Sequence, residues 1–395
     1  MEKNVYYNNY PTVFVHGFLG CGPDNYFSAI YKYFGSFSKD LMADLTDQGY
    51  EVYQPSLGPF NSLWCRCCYL YAYLMGGTVD FGKAHAERTG SARYGRTYPG
   101  VLKDWGKDGD HKKINLIGHS FGGPTVALFS TLLQNGSAEE QAVTDPDDLS
   151  PLFKGGLGDL LHCVTTLDGT NNGTSAIEFL GPMRRYMDIV IYGLGTMYNS
   201  TYFAKIFDFM NENYGLMCAP NERTFTAFKN PFALKDEIRH LADSEDAMFW
   251  EMSVEYTSEL AKTFATNPKT YYFAQIGKTC HEGPFGIQMP DLTTNPIFPI
   301  PTVLFSFVTR PSLGIVGKEW HESDGIVPIA GQKAPIGQPQ VDFAPGMAFK
   351  PGVWYNMPYQ HKDHQDWAGM WHNKADFEMS YAIIMERQRM LPDAE

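Results

Sequence analysis

The sequence lacks any apolar run long enough to cross a membrane. Its richest apolar stretch, residues 296–308, is interrupted by Pro299 and Pro301, whereas a helix that spans a bilayer needs about 20 consecutive apolar residues. The first six residues also lack the apolar core of a secretion signal, so either no signal exists or it has been removed. We therefore expect no transmembrane segment.

Basic residues are scarce relative to acidic ones. The chain has 31 Lys and Arg against 44 Asp and Glu, which gives a formal net charge of -13 at pH 7. An acidic surface repels the phosphate backbone of nucleic acids and the surface of anionic bilayers. Nucleic acid is therefore not expected to be a partner.

Cysteine is also sparse, with seven residues in a chain of 395. That number is odd and too small for a disulfide scaffold at this length, so at least one thiol is free or binds a metal. Apolar residues make up 44% of the chain, which is enough to bury a large core and to exclude disorder. We expect one elaborated domain over residues 1–395.

What is present is an alternation of short apolar runs, glycine-rich turns and amphipathic segments. This alternation favours βαβ units and a largely parallel sheet. Residues 176–234 break the rhythm, because Phe, Tyr and Met are dense there, and they predict a helical insertion with an apolar face. The predicted core strands cover residues 12–15, 50–54, 114–117, 162–167, 271–276 and 353–357, and the clearest helices cover 40–47 and 124–134.

The strongest local signal is a glycine-flanked serine at a strand-to-helix turn. Ser120 stands in Gly-His-Ser-Phe-Gly, between the strand at 114–117 and the helix that opens at Pro124. Such a turn strains the serine backbone and brings strand and helix close together, so the positions two before and two after must be small. Gly118 and Gly122 meet that requirement. We predict that Ser120 is a catalytic nucleophile.

An oxyanion hole is expected beside this serine. One backbone N–H would come from Phe121, the residue after the nucleophile, where the start of a helix favours a developing negative charge. The second would come from the loop after an early strand, and His16-Gly17-Phe18 occupies that position. We assign the N–H groups of Phe18 and Phe121 to the hole.

Longer strings follow one another in order over most of the chain. They are residues 16–20 (HGFLG), 76–82 (GGTVDFG), 84–86 (AHA), 92–100 (ARYGRTYPG), 119–123 (HSFGG), 149–153 (LSPLF), 324–327 (DGIV) and 363–364 (DH). In these strings the chain resembles the large metal-binding bacterial lipases, of thermoalkaliphilic and staphylococcal type, which have the α/β-hydrolase fold. Together they are far more specific than any one motif.

The resemblance implies a mostly parallel central sheet flanked by helices, a helical lid at residues 175–235 and a small metal-binding subdomain at 60–100. It also implies a secreted triacylglycerol lipase that hydrolyses acylglycerol esters at a lipid–water interface without an organic cofactor. A short-chain carboxylesterase or a phospholipase could use the same catalytic residues. Outside the enzymes, a non-catalytic binding protein could use the same scaffold.

The base and the acid should follow the serine, because this fold places its catalytic residues in the order Ser, Asp or Glu, His. The loop after the last predicted strand holds His361 and His364, and the resemblance favours His364. For the acid the resemblance favours Asp324, whose carboxylate would orient the imidazole. Asp168, at the end of an earlier strand, is the alternative acid.

The resemblance implies a zinc ion held by two Asp and two His, one of each in the extra subdomain. His85 and Asp246 match two of these positions, but Cys65 and Ser91 occupy the other two. A thiolate binds zinc well and a serine does not, so a site of Cys65, His85, Asp246 and a water is predicted. The alternative is that His85 is a solvated helix residue and Cys65 a buried thiol. Neighbours that could also contribute are Cys67, Cys68, Asp80 and Glu87.

A calcium ion near the catalytic histidine is also implied by the resemblance. Gly283, through its carbonyl, and Asp366 match two ligand positions, but the next expected aspartate falls on Trp371. Calcium takes six to eight oxygen ligands, and Asp363 and Asp376 are near enough in sequence to supply some of them. Such an ion would hold the loop that carries the histidine.

Overall fold

The computed structural model describes residues 5–23, 32–36, 39–180, 246, 248–370 and 374–394. Its strands are β1 Thr12–Val15, β2 Val52–Tyr53, β3 Gly77–Asp80, β4 Tyr94–Tyr98, β5 Ile114–His119, β6 Leu161–Leu167, β7 Tyr271–Gln275, β8 Cys280–Glu282, β9 Gln288–Pro290, β10 Gln340–Asp342 and β11 Trp354–Asn356. Its helices are α1 Leu41–Asp47, α2 Leu63–Met75, α3 Lys83–Thr89, α4 Gly122–Asn135, α5 Ala138–Val143, α6 Pro151–Lys154, α7 Ala176–Leu180, α8 Met248–Glu251, α9 Val254–Leu260, α10 Pro299–Phe305, α11 Ile329–Gln332 and α12 Lys374–Met390.

Seven of these strands form one sheet in the order β10, β11, β7, β6, β5, β1, β2, and every neighbouring pair is parallel. Strands β1, β5, β6 and β7 are buried along their whole length, because helices cover parallel sheets on both faces. The carboxyl ends of β1, β5 and β6 therefore meet at one edge, where ligands bind in sheets of this kind.

The predicted strands are present, with some differences in length. Strand β1 has the predicted bounds, whereas the strand predicted at 50–54 pairs only over Val52–Tyr53 and the one predicted at 353–357 only over Trp354–Asn356. Strand β10 was not predicted. Its three residues are partly exposed at the edge of the sheet, so they lack the apolar run that marks a buried strand.

Two residues separate the end of β5 from the start of helix α4, which is almost entirely buried. It packs against β5, β6 and α2, as is usual for a core helix. The helix stops at Asn135 because Gly136 adopts φ +67, a conformation that glycine accepts without strain. The largest apolar cluster lies between α2, α4 and the sheet.

Two predicted insertions are described to different extents. Residues 60–100 contain α2, α3 and the antiparallel pair β3–β4. The predicted lid, residues 175–235, lies outside the described residues except for 175–180, which include α7. In the ranges that are described, no helix is both long enough and apolar enough to cross a bilayer.

Candidate active site

Ser120 lies at the turn between β5 and α4, and its φ of +58 lies in the left-handed region. The two flanking glycines are required by the close approach of the chain segments. A Cβ atom at Gly118 would lie 2.2 Å from the carbonyl oxygen of Gly122, and one at Gly122 would lie 2.2 Å from that of Val15. The turn therefore has the strained geometry that presents a nucleophile at the top of a sheet.

The structure brings Ser120, His364 and Asp324 together. Nε2 of His364 lies 2.9 Å from the Ser120 Oγ, and its Nδ1 lies 2.8 Å from Oδ2 of Asp324. Oδ1 of Asp324 accepts the backbone N–H groups of Ile326 and Val327, at 2.8 and 2.7 Å. All three side chains are buried, so the hydrogen bonds operate in a medium of low polarity where they are strong.

The alternative candidates are placed differently. The His361 side chain is 60% exposed and faces Asp291 and Thr293 rather than Ser120. Asp168, at the carboxyl end of β6, lies beside Asp324 and is fully buried, but the Nδ1 atom of the imidazole is bonded to Asp324. The hydrogen-bonded series of a serine, a candidate base and a candidate acid is therefore formed by Ser120, His364 and Asp324.

The residues predicted for the oxyanion hole lie on either side of Ser120. A Cβ atom at Gly17 would be 2.6 Å from the Ser120 Cβ, which puts the turn carrying Phe18 directly against the serine. Within the described residues, neither the Phe18 N–H nor the Phe121 N–H donates a hydrogen bond. Two backbone donors beside a serine Oγ can stabilise the negative charge of a tetrahedral intermediate.

A network that the sequence did not predict links this turn to the histidine loop. The Gly17 N–H donates to the Tyr33 hydroxyl (2.9 Å), which lies 2.8 Å from Nδ1 of His119, whose Nε2 lies 2.9 Å from the His364 carbonyl oxygen. Because a carbonyl only accepts, the His119 Nε2 donates and its Nδ1 accepts from Tyr33. Burial, followed by the neighbouring His364, lowers the pKa of His119 well below its ordinary value, so its ring is neutral.

Arg66 supports the turn at His16, Gly17 and Phe18 through buried hydrogen bonds. Its guanidinium donates to the carbonyl oxygens of His16 and Gly58 and to the Thr125 hydroxyl of α4. Burial lowers the pKa of Arg66 to about 10. Burial and then Arg66 lower the pKa of His16 well below its ordinary value, so its neutral ring can donate through Nδ1 to the Gly17 carbonyl. No pattern in the sequence marks this buried arginine, because two of its three partners are backbone carbonyl groups.

Comparison with known proteins places this geometry in a family. Residues 8–384 match the family described as "Lipase-like, C-terminal domain". The chain belongs to this lipase-like family. It is 32% identical over 374 residues to Lipase 2 of Staphylococcus aureus, covering 92% of this chain and 51% of the relative. It is 34% identical over 371 residues to a lipase of Staphylococcus epidermidis, covering 93% and 51%.

Solved structures of similar proteins extend over almost the whole lipase-like chain. EstA from Clostridium botulinum is 33% identical with a TM-score of 0.82, over 100% of this chain and 90% of that one. The Staphylococcus hyicus lipase is 28% identical with a TM-score of 0.83, over 97% and 96%. The predicted α/β-hydrolase fold and the resemblance to staphylococcal lipases are therefore confirmed. The chain spans about half the length of the curated relatives it matches.

The three residues predicted to bind zinc in this lipase-like chain converge. Nε2 of His85 on α3 lies 3.2 Å from Oδ2 of Asp246, and Sγ of Cys65 on α2 lies 3.8 Å from both atoms. All three side chains are buried, and the Trp64 indole stacks on the His85 ring. His85 is therefore not a solvated helix residue.

The cluster combines a thiol whose pKa is raised with a carboxyl group whose pKa is lowered. Burial raises the pKa of Cys65 well above its ordinary value, and Asp246 raises it further. Burial opposes ionisation of Asp246 as well, but His85 holds the pKa of that carboxyl below its ordinary value. A cavity of about 450 Å³, lined by Trp64, His85, Asp246 and Glu251 among others, lies beside the cluster.

The additional residues considered for zinc lie elsewhere. Sγ of Cys67 faces the Thr125 carbonyl at 3.5 Å. Asp80 forms a bidentate ion pair with Arg93, and Glu87 is exposed. Among the described residues, the cluster around His85 and Asp246 contains neither Cys67 nor Cys68.

The residues predicted to bind calcium form no comparable cluster. Gly283 lies in the turn between β8 and β9 and donates its N–H to Ile287, and no hydrogen bond joins it to Asp366 within the described residues. Asp366 lies instead beside Asp363, which accepts the N–H groups of Asn295 and Asp366 itself. Burial, followed by the charge of Asp366, raises the pKa of Asp363 to about 6. Trp371 lies outside the described residues.

Proposed function

We propose that this chain is a triacylglycerol lipase that hydrolyses acylglycerol esters through an acyl-enzyme on Ser120. The observation that carries the proposal is the hydrogen-bonded series of Ser120, His364 and Asp324, with distances of 2.9 and 2.8 Å. The names of the relatives support the same reaction.

In the first half of the reaction His364 is the base. Its Nε2 takes the Ser120 proton as Oγ attacks the ester carbonyl carbon, and Asp324 stabilises the imidazolium that forms. The ester oxygen then carries the negative charge, and the N–H groups of Phe18 and Phe121 hold it. His364 returns the proton to the alcohol, which leaves. Water attacks the acyl-enzyme by the same steps and releases the fatty acid.

A lipid substrate is supported by apolar surface close to the acid. Ile297, Ile300 and Phe307, in and around α10, are 65 to 73% exposed. The neighbouring Phe298 packs closely on Gly325, the residue after Asp324. A Cβ atom added at Gly325 would lie 2.6 Å from the Phe298 Cβ. Contiguous exposed apolar side chains are typical of surfaces that meet lipid or apolar ligands. A lid over residues 175–235 and an extracellular location stay part of the proposal, on the strength of the resemblance.

The function is tested with nitrophenyl esters from acetate to palmitate and with an emulsified triacylglycerol. We expect hydrolysis of the long-chain esters and the emulsion, and labelling of Ser120 by an active-site phosphonate. Rates confined to acetate and butyrate would indicate a short-chain carboxylesterase, and a preference for phospholipid vesicles would indicate a phospholipase. Absence of both hydrolysis and labelling would contradict an enzyme and favour a binding protein.

We also propose that Cys65, His85 and Asp246 hold a zinc ion with a water as fourth ligand. The donor set fits zinc, which prefers thiolate, imidazole and carboxylate ligands in tetrahedral geometry. The ion would join α2, α3 and the segment that carries Asp246, and it would replace the proton of the Cys65 thiol. Its contribution would be to stability and not to the reaction at Ser120.

The zinc proposal predicts about one zinc ion per chain in elemental analysis of the purified protein. Cys65→Ala and His85→Ala should each weaken zinc binding at least about 10-fold, and a chelator should lower the melting temperature of the wild type but not of these variants. Zinc affinity should fall as the pH is lowered, because the thiol must lose its proton. Cys67→Ala, on the same buried helix, is the matched control. Equal zinc content in Cys65→Ala and Cys67→Ala would reject the site.

Calcium stays a prediction of the resemblance. A calcium ion takes six to eight oxygens, whereas Asp363 and Asp366 already accept backbone N–H groups. Asp376 forms an ion pair with Lys362 at 2.5 Å. We therefore assign calcium no part in the proposed reaction.

A further inference from the structure

The imidazole of His364 is faced by two carboxyl groups. One ligand atom each from Asp168, Asp324 and His364 lie within 4.8 Å of one another, and all three residues are buried. Asp168 stands at the carboxyl end of β6 with φ +44, a conformation that is uncommon for a residue other than glycine. The Gly277 N–H donates to its Oδ1 at 2.7 Å. The reaction proposed above uses Asp324 and leaves Asp168 without a role.

The hydrogen bonds around the two carboxyl groups show where a proton is needed. The two oxygens of Asp324 accept from Ile326, Val327 and His364, which leaves one acceptor position on its carboxylate. Oδ2 of Asp168 is buried and forms no hydrogen bond of good geometry within the described residues. The nearby donor is the Trp367 indole N–H, which is itself buried without a well-aligned partner and acts on the Asp168 carboxyl group. Two ionised carboxylates this close in a buried site repel each other strongly, and pairs of this kind relieve the repulsion by sharing one proton.

The surroundings of Asp168 agree with a neutral carboxyl. Burial raises the pKa of Asp168 well above its ordinary value, and the charge of Asp324 raises it further, although the Trp367 indole and the Gly277 N–H act in the opposite direction. No lysine or arginine of the described ranges forms an ion pair with it. The other titratable groups close to the two acids and the imidazole are His119, Asp363 and Tyr381.

We propose that Asp168 is a protonated carboxylic acid that donates its O–H to Asp324 and so positions the carboxylate that orients His364. This inference rests on the proposed ester hydrolysis, in which Asp324 and His364 act on Ser120. The hydrogen bond donated by Asp168 fixes the rotation of the Asp324 carboxylate, so that its Oδ2 points toward the imidazole. The competing explanation is that Asp168 only caps the Gly277 N–H.

An asparagine is the informative replacement, because its Oδ1 can accept from Gly277 while its amide N–H donates to Asp324. Asp168→Ala should lower kcat by about 10- to 100-fold with little change in KM, since it removes a hydrogen bond to a charged group that acts in the chemical step. Asp168→Asn should restore most of that loss. A fall in stability of Asp168→Ala with kcat unchanged would reject the positioning role and leave the capping role.

The pH profile separates a neutral from an ionised Asp168. The acid limb of the profile of kcat/KM should keep its midpoint in Asp168→Asn, because one neutral group replaces another. Removal of an ionised carboxylate from beside the imidazole would instead lower that midpoint by about one pH unit or more, and this result would overturn the proposal. Asp159→Asn, at an exposed position paired with Lys269, is the control for a lost surface charge.

Infrared spectroscopy tests the protonation without turnover. The difference spectrum between Ser120→Ala and Ser120→Ala/Asp168→Asn at neutral pH should show the loss of one carboxylic-acid C=O stretch. Loss of a carboxylate stretch would overturn the proposal. The difference isolates Asp168 from Glu251, whose pKa is also raised by burial. If the wild type fails to hydrolyse esters, the proposed function fails, while this measurement still decides the state of Asp168.

Discussion

Replacement of Ser120 by alanine is expected to lower kcat for ester hydrolysis by about 10^4-fold or more while the fold is kept. The substitution removes a single oxygen atom, the one that lies 2.9 Å from Nε2 of His364. An alanine accepts the same turn at φ +58 with the strain that the serine already has. Single-turnover and steady-state assays on a nitrophenyl ester give the rate, and circular dichroism checks the fold.

His364→Ala should lower kcat to a similar extent, and Ser120→Ala/His364→Ala no further than either single variant, because a nucleophile and its base act as a unit. His361→Ala is the matched control on the same loop. Its imidazole is largely exposed and bonded to Thr293, so its activity should remain near that of the wild type. An equal loss in His361→Ala and His364→Ala would contradict the assignment of the base.

The turn that carries Ser120 could be predicted from the sequence because its requirements are local. The turn at Ser120 needs small residues at 118 and 122, since a side chain at either would collide with backbone oxygens at 2.2 Å, and those residues lie within five positions of one another. The strand before it and the helix after it are visible in the same short window. Local sterics therefore suffice to find this turn.

The positions of the candidate base and the candidate acid depend on the long-range fold. Ser120 and His364 are 244 positions apart, and residue type and chain order left two histidines and two aspartates open. Only the resemblance favoured His364 and Asp324. Both candidate acids in fact approach the same imidazole, because β6 and the segment carrying Asp324 end at the same side of the sheet. Sequence order alone could not rank two carboxyls that folding brings together.

The buried polar networks could not be predicted at all. Tyr33, His119 and Arg66 bond mainly to backbone atoms or to each other across the core, and backbone partners leave no pattern of residue types. A lone arginine in an apolar helix such as α2 would ordinarily be placed on the solvated face. Its burial follows from the unpaired carbonyl groups that the turns around the serine leave inside the protein.

Arg66→Leu is expected to lower the free energy of unfolding by about 2–5 kcal/mol. Removing the guanidinium removes the free-energy cost of burying its charge. The pKa of Arg66 is lowered from 12.5 to about 10, which corresponds to a cost of about 3 kcal/mol. Three hydrogen bonds from a charged donor are lost as well, at about 1.5–3 kcal/mol each, and the carbonyl oxygens of His16 and Gly58 are left without this donor. The lost hydrogen bonds outweigh the relief, so the variant is destabilised.

Urea denaturation measures this change, and Arg310→Leu is its control. The Arg310 side chain is 51% exposed and lies 3.6 Å from Glu178, so its loss should cost less than about 1 kcal/mol. Arg66→Leu should also reduce the rate of ester hydrolysis at temperatures where the variant is still folded. The reason is that Arg66 holds the His16 carbonyl, one residue before the turn that carries the Phe18 N–H. Equal stability of the two variants would show that the backbone carbonyls find other donors and that Arg66 does not hold the turn.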